Sequence, residues 1–333
     1  MTACSDIVKL EKNLVRRAIA WGSLVLALIF TPSLGRAQGL TLPPGASAAL
    51  EKIYSFDLDA GAADAQRLQM ASPDHPLGYL LEADALWWNI WCSSAEYKYG
   101  MTDARRRPKL ASDQRYLDLV ARASAIARSR LKESDSAEMH FYAGLADAFA
   151  ARLYGLRGEN RATARAGVRA RAQFLLALEA DPKLVDADFG LGLYNYYADT
   201  LSAVAKILGF FMGIPGGDKQ VGIQQLHDDI AGGVLTPDAA RFYLALDLHR
   251  YDQKYEDALA LISPLVAHYP SNPIFQLARG DLFGKLGRKE QAIACYRAAA
   301  AIPVQDLQCR EHIQKLVQTS LSAQGATAHP SAP

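Results

Sequence analysis

Two stretches near the C-terminus decide the fold: KYEDALALISPLVAHYP at residues 254–270 and RKEQAIACYRAAAAIP at residues 288–303. Ala258 in the first and Ala292 in the second are 34 residues apart. A fixed period of this length in an apolar sequence without strand-like alternation indicates helix pairs that stack on one another.

Thirty-four residues is also the period of the tetratricopeptide repeat. In that repeat Gly280 and Ala292 would let paired helices approach closely, and Tyr296 would fill the groove against the next unit. The sequence therefore predicts an all-α, tetratricopeptide-like helical-repeat solenoid, built of antiparallel helix pairs in a right-handed superhelix with inserts. The residues of the last unit that fit the repeat are Gly280, Phe283, Gly287, Ala292, Tyr296 and Ala299.

The pattern continues upstream in a degenerate form. RARAQFLLALEADP at residues 169–182 reproduces a second helix, and Gly192 follows where the next first helix needs a small residue. Gly144 would be the small contact of the preceding first helix. The expected boundaries are a repeat domain at 38–321, its clearest repeats at 137–302, N-terminal helices near 45–71, 74–99 and 113–132, and a disordered tail at 322–333.

Composition excludes some classes of protein. Of 333 residues, 50% are hydrophobic and 21% are charged, with a formal net charge of +1. A large core can form, and no basic excess favours nucleic acid, so we expect no nucleic-acid partner.

The N-terminal segment has the form of a secretory signal peptide. Basic residues up to Arg17 precede an uncharged run at 18–30, and a helix breaker and small residues follow up to Ala37. We expect residues 1–37 to be a signal peptide that is cleaved after Ala37, which would place the chain in a bacterial periplasm. The alternative is an inner-membrane anchor at 18–30, although a bilayer span needs about 20 apolar residues.

Three cysteines follow the signal, and an odd number cannot all pair within one chain. Cys295 lies on the second helix of the last unit and Cys309 on the helix after it. We expect a Cys295–Cys309 disulfide with Cys92 left free, or else three buried thiols.

The corner GIPGGDK at residues 213–219 joins two apolar runs. Pro215, Gly216 and Gly217 break the chain, and Asp218 is a good N-cap for the next helix. We place DFGLGLYNYY in a first helix and LSAVAKILGFFMG in the second segment of that pair. A phosphate-binding loop would need a Lys and a hydroxyl directly after its last glycine, so a bend between packed helices is favoured. A membrane-dipping segment is the alternative.

FGLGLYNYYAD at residues 189–199 and AKILGFFMGIPGGDKQVGIQQL at residues 205–226 resemble the signature segment of the tetratricopeptide repeat protein 39 family. They are more similar still to exported bacterial tetratricopeptide proteins. The resemblance covers about residues 75–302 and implies a helical scaffold without catalytic residues. The tyrosine-rich YNYY and the export signal depart from the eukaryotic pattern.

Eight aromatic and basic side chains are candidates for partner binding. An arginine ridge with a spacing of four could bind an acidic peptide or an anionic headgroup, and LWWNIW could supply an aromatic contact. A solvated basic face and a packed tryptophan core are the respective alternatives. The candidates are Trp87, Trp88, Trp91, Arg161, Arg165, Arg169, Tyr194 and Tyr197.

The seven histidines are scattered and no metal-binding or nucleophile motif occurs, so we expect no metal, no cofactor and no catalysis. The function predicted is that of a periplasmic scaffold that binds a protein or peptide in a concave groove. A peripheral membrane adaptor and an enzyme with an unrecognised site are the competing classes.

Cleavage of the signal gives the first testable prediction. Because basic, apolar and small-residue regions occur in the order that signal peptidase requires, the exported protein should begin at Gln38. N-terminal sequencing of protein from the periplasmic fraction measures this. Recovery of residues 1–30 in a membrane fraction would instead show an anchored form.

Overall fold

Helices account for every regular element in the part of the chain that the computed structural model describes, which comprises residues 39–94, 109–201, 206, 209 and 214–326. The prediction of an all-α protein is confirmed. The α-helices are α1 Ala46–Tyr54, α2 Leu58–Ala71, α3 Leu77–Ser94, α4 Ser112–Glu133, α5 Ala137–Leu156, α6 Asn160–Ala180, α7 Asp186–Thr200, α8 Lys219–Gly232, α9 Pro237–Asp247, α10 Tyr255–His268, α11 Pro273–Lys285, α12 Lys289–Ala301 and α13 Leu307–Ala323. A π-helical turn, Leu248–Asp252, follows α9.

Each helix packs against the next one in sequence, from α1 to α13. This neighbour-on-neighbour packing is the arrangement of a helical repeat. We group the helices into six pairs, from α1–α2 to α11–α12, with α13 covering the last pair.

The turn inside a pair has the same backbone conformation in four of the six pairs. Two residues before the second helix, φ lies between 55° and 72°, at Phe56, Gly158, Gln253 and Gly287. The next residue has φ between −87° and −83° in all four turns. In three of them its N–H bonds to the carbonyl five residues earlier, which is a Schellman helix end. Gln253 and Gly287 are 34 residues apart, which is also the spacing of Ala258 and Ala292.

Ala258, Gly280 and Ala292 form the close contacts expected of them in the last repeats. Ala258 and Ala292 are both fully buried. A Cβ at Gly280 would lie 2.7 Å from the Tyr296 ring and 3.1 Å from the Cys295 Cβ, so glycine sets the distance between α11 and α12. Tyr296 was predicted to fill the groove against the next unit, but its ring packs on the first helix of its own pair. Its hydroxyl donates to Asp281 of that helix at 2.8 Å.

The pair α7–α8 crosses at a glycine contact. A Cβ at Gly192 would lie 2.8 Å from the Gly222 carbonyl oxygen, and one at Gly222 would lie 2.6 Å from the Gly192 oxygen. Gly217 also approaches α7, since its Cβ would be 2.4 Å from the Asn195 oxygen. Two backbones can lie this close only where neither carries a side chain.

The bend before α8 matches its prediction in the residues described. Ile214 to Asp218 is not helical, Gly216 is exposed, and Asp218 caps α8 by accepting from the N–H of Gln220 and Val221. Among the described helices, α7 packs most closely against α8. Most of LSAVAKILGFFMG lies outside the described residues.

Two boundaries also differ from the sequence predictions. The helix expected at 45–71 is two helices, α1 and α2, because Phe56 takes a left-handed conformation between them. At the other end α13 continues to Ala323, two residues into the expected tail, and ends in a left-handed glycine, Gly325.

The array closes on itself because helices from its two ends are in contact. Asn272 Nδ2, before α11, donates to the Tyr54 carbonyl of α1 at 2.9 Å. Helix α13 packs against α3, and a disulfide joins Cys92 of α3 to Cys309 of α13, with Cα atoms 5.1 Å apart. The bridge spans 217 residues of sequence.

The predicted Cys295–Cys309 disulfide is therefore wrong, and Cys295 is the free, buried thiol. Cys295 lies six residues before the end of α12, whereas Cys309 lies two residues after the start of α13. At a helical rise of about 1.5 Å per residue they are about 9 Å and 3 Å from the corner between the helices. They do not lie opposite each other.

The glycine crossing predicts a position-specific effect of one methyl group. Gly222→Ala should lower the free energy of unfolding by about 1–3 kcal/mol, because the new Cβ meets backbone atoms that cannot rotate away. Gly232→Ala, at the end of the same helix, is the control, since its Cβ would meet only Val185 side-chain atoms at 3.6–3.9 Å. Urea denaturation of both variants measures this, and equal stabilities would contradict the crossing.

Candidate functional site

The three tryptophans of α3 lie inside the closed array. Their exposed fractions are between 4% and 7%. The Trp88 ring centroid is 5.3 Å from that of Phe242 in α9, 5.6 Å from Phe275 in α11 and 5.8 Å from Tyr54 in α1. Core packing, the alternative from sequence, describes Trp87, Trp88 and Trp91, and the aromatic rings fill the inner face where we expected an open groove.

A cavity of about 40 Å³ remains beside these rings. Side chains of α1, α3, α5, α7 and α9 line it, which are the first helices of successive pairs. By volume it holds roughly three water molecules. This cavity is therefore too small for a peptide.

Arg152 of α5 lies at this cavity and is neutralised within the protein. Its Nη2 donates to Asp84 Oδ1 at 2.8 Å, and its Nε donates to the Tyr116 hydroxyl at 2.7 Å. The guanidinium carbon lies 3.6 Å from the Phe149 ring centroid and 4.5 Å from that of Trp87. This buried ion pair joins α3, α4 and α5, so its evident role is to fix three helices together.

Two buried acids lie where α7, α8 and α9 meet. Asp186 Oδ1 accepts from the N–H of Leu235 at 2.6 Å and of Thr236 at 3.0 Å, which ties α7 to the start of α9. Asp229 of α8 is fully buried; its Oδ1 accepts from the Thr236 hydroxyl at 2.8 Å, and its Oδ2 has no partner. Burial raises the pKa of the Asp229 carboxyl to about 8, so this group holds its proton at neutral pH.

The YNYY tyrosines form a second polar cluster, at the other end of α7. The Tyr197 hydroxyl donates to Asp247 Oδ1 at 3.0 Å. Tyr196 donates to Asp252 at 2.9 Å, and Lys219 forms an ion pair with the same carboxylate. Burial raises the pKa of the Asp247 carboxyl to about 7.

Tyr194 and Tyr197, two predicted binding residues, thus hold the fold together. Tyr194 donates its hydroxyl proton to the Pro215 carbonyl at 2.6 Å, which anchors the bend before α8. The Arg171 guanidinium lies 5.5 Å from the Tyr194 ring centroid. Tyr197 fastens α7 to the end of α9 through Asp247.

The arginine ridge lies on the outward side of α6. Arg161, Arg165 and Arg169 are all exposed. Arg169 binds Asp147 at 2.8 Å, and Arg128 of α4 binds the same carboxylate. Arg157, the next arginine back, is outside the ridge, because it ends α5 and makes two 2.7 Å hydrogen bonds to Asp113. The ridge is the one set of predicted binding residues that the structure keeps exposed.

The residues that the structure describes contain neither a candidate metal centre nor a candidate membrane span. In these ranges no group of three or more His, Cys, Asp and Glu side chains could hold a metal ion. No described helix combines the length and hydropathy that a membrane span requires.

The buried charges of Asp84 and Arg152 were not among the residues predicted from the sequence. Asp84 in ADALWW and Arg152 in AFAARLY each interrupt an apolar run, and a charge at a core position indicates a paired, buried group. That signal would have predicted the ion pair, although not which two residues form it.

Comparison with known proteins found no matching family model and no matching curated protein. The similarity of residues 189–226 to the tetratricopeptide repeat protein 39 family therefore stays a prediction.

The raised pKa of Asp229 predicts how stability depends on pH. A carboxyl whose pKa rises from 3.8 to about 8 on folding stabilises the protein below pH 4, and this contribution is lost as the pH rises to 8. Asp229→Asn should remove that loss, which amounts to at most about 6 kcal/mol. Urea denaturation at pH 5 and pH 9 should show a smaller difference for the variant than for the wild type.

Asp228→Asn is the matched control for this prediction. Asp228 is the exposed neighbour of Asp229 and accepts from Gln224 at 2.8 Å. The Asp228→Asn variant should leave the pH dependence of the free energy of unfolding unchanged. Identical pH profiles for wild type and Asp229→Asn would contradict the assignment of a buried, protonated carboxyl.

Proposed function

We propose that this chain is an exported, periplasmic helical-repeat scaffold of the tetratricopeptide type that binds a protein or peptide and catalyses no reaction. The repeated backbone turn supports the repeat type, because it recurs with the 34-residue period between Gln253 and Gly287. The same period is the one typical of tetratricopeptide repeats. In a repeat of this type, the antiparallel helix pairs wind into a right-handed superhelix, which is the arrangement proposed for this chain.

The surface used for binding is proposed to be the outer one. The first helices of the pairs turn their aromatic and charged side chains to the inside, where Trp88 and Arg152 find partners within the protein. The second helices carry exposed faces along their length, and α6 is the clearest example. The single observation that supports a binding function is this exposed arginine ridge.

A peripheral membrane adaptor is the second candidate. Leu201 at the end of α7 and Val221 in the first turn of α8 are 49% and 48% exposed. These residues flank the apolar insert that suggested membrane contact in the sequence. Exposed apolar side chains of this kind can enter the boundary of a lipid bilayer.

Site-specific photocrosslinking in intact cells tests the proposal. A photoreactive amino acid would replace Ala172, exposed on α6, and in a separate variant Ala300, exposed on α12. A discrete protein adduct from position 172, absent at position 300, is the expected result. Adducts with lipid alone would support the membrane adaptor. A metal or cofactor that copurifies with the native protein would support an enzyme.

A further inference from the structure

The outward face of α6 carries a stripe that changes from basic to apolar along the helix. At 100° per residue, Arg161, Arg165, Arg169, Ala172 and Leu176 fall within about 80° of the helix circumference. All five are exposed. The three arginines span about 12 Å of the axis, and Leu176 lies about 10 Å beyond Arg169.

Two of these arginines have no partner in the described part of the protein. The Arg169 side chain binds Asp147, whereas neither the Arg161 nor the Arg165 side chain makes an ion pair or a hydrogen bond with any described residue. Five other arginines with side chains at least 40% exposed each bind a carboxylate: Arg67, Arg115, Arg128, Arg130 and Arg288. The exposed Arg122, Arg297 and Arg310 also make no ion pair with a described residue, so what distinguishes Arg161 and Arg165 is that they lie four residues apart on one helix face.

Folding does not account for this charge. Helix α6 contains four arginines and one glutamate, in a chain whose net charge is +1. Like charges four residues apart destabilise a helix by about 0.2–0.5 kcal/mol per pair, and basic residues near a helix N-terminus are disfavoured by its dipole. An anionic partner would offset both costs.

We propose that this stripe docks an acidic peptide segment whose apolar end lies over Leu176. The inference rests on the proposed binding function and names the chemistry of its partner. Carboxylates spaced by four residues on a helical segment match the arginine spacing. Leu175 and Leu176, 42% and 40% exposed, supply the apolar contact. A free phosphate could reach one or two arginines but would not use the leucines.

Fluorescence anisotropy with two synthetic peptides tests the inference. The probe carries three glutamates at every fourth position, followed by two leucines at helical spacing, and its control has glutamine in place of glutamate. The wild type should bind the acidic probe and not the control, and the affinity should fall as salt is added. The variant Arg161→Glu/Arg165→Glu should bind the probe at least about tenfold more weakly.

Arg297→Glu is the matched control, because Arg297 is exposed on α12, another second helix. Its affinity for the probe should stay within about twofold of the wild type. The double variant should melt no lower than the wild type, since acids in the first turns of a helix are favoured. Weaker binding would then come from the lost contact and not from unfolding.

Three results would overturn the inference: no binding of the acidic probe, equal binding of both peptides, or unchanged affinity in the double variant. Binding to phosphatidylglycerol vesicles without binding to the probe would likewise replace the peptide with a membrane surface. If position 172 still crosslinks to a protein in the double variant, the docking chemistry fails while the binding function stands. If no protein is ever crosslinked, the proposed function itself fails.

Discussion

The contact of Trp88 with Tyr54, Phe242 and Phe275 is the interaction on which the rest of the arrangement depends. These four rings come from α1, α3, α9 and α11, so they join the first two pairs of the array to the last two complete ones. Each aromatic pair contributes about 0.5–1.5 kcal/mol beyond the area that it buries. These rings therefore fill the inner face of the array, where the sequence had predicted an open groove.

Buried acids on the first helices fix the position of neighbouring helices along their axes. Glu82 binds Arg115 of α4, Asp84 binds Arg152 of α5, and Asp147 binds arginines of both α4 and α6. Removing one member of the Asp84–Arg152 pair, in which both side chains are largely buried, should cost about 3–5 kcal/mol, because the other charge is left buried. Aromatic packing alone would allow two helices to slide past each other. A carboxylate and a guanidinium form directional hydrogen bonds, which fix the two helices at one relative position.

The local features of the fold could be predicted from the sequence. The spacing of Ala258 and Ala292, the glycine contact at Gly280 and the cap at Asp218 each depend on residues close in sequence, and all three are present. Phe56 could not be predicted as a helix end, because glycine normally occupies that left-handed position. Closure of the array depends on residues more than 180 positions apart, such as Trp88 and Phe275.

The candidate site was predictable only in part, because the exposure of several of its residues depends on helices that are distant in sequence. A ridge of arginines follows from helical spacing alone, so Arg161, Arg165 and Arg169 were placed correctly on one exposed face. Whether Trp88, Tyr194 or Tyr197 is exposed depends on which distant helix covers it. A period of 34 residues shows how neighbouring pairs stack, and it carries no information on how many pairs complete a turn.

Closure of the array is most directly tested by mapping the disulfide in protein isolated without reductant. Free thiols are alkylated, the protein is digested, and the linked peptides are identified by mass spectrometry. The structure predicts one bridge between Cys92 and Cys309 and an alkylated Cys295. A bridge between Cys295 and Cys309, with Cys92 alkylated, would place α13 away from α3 and contradict the closed array.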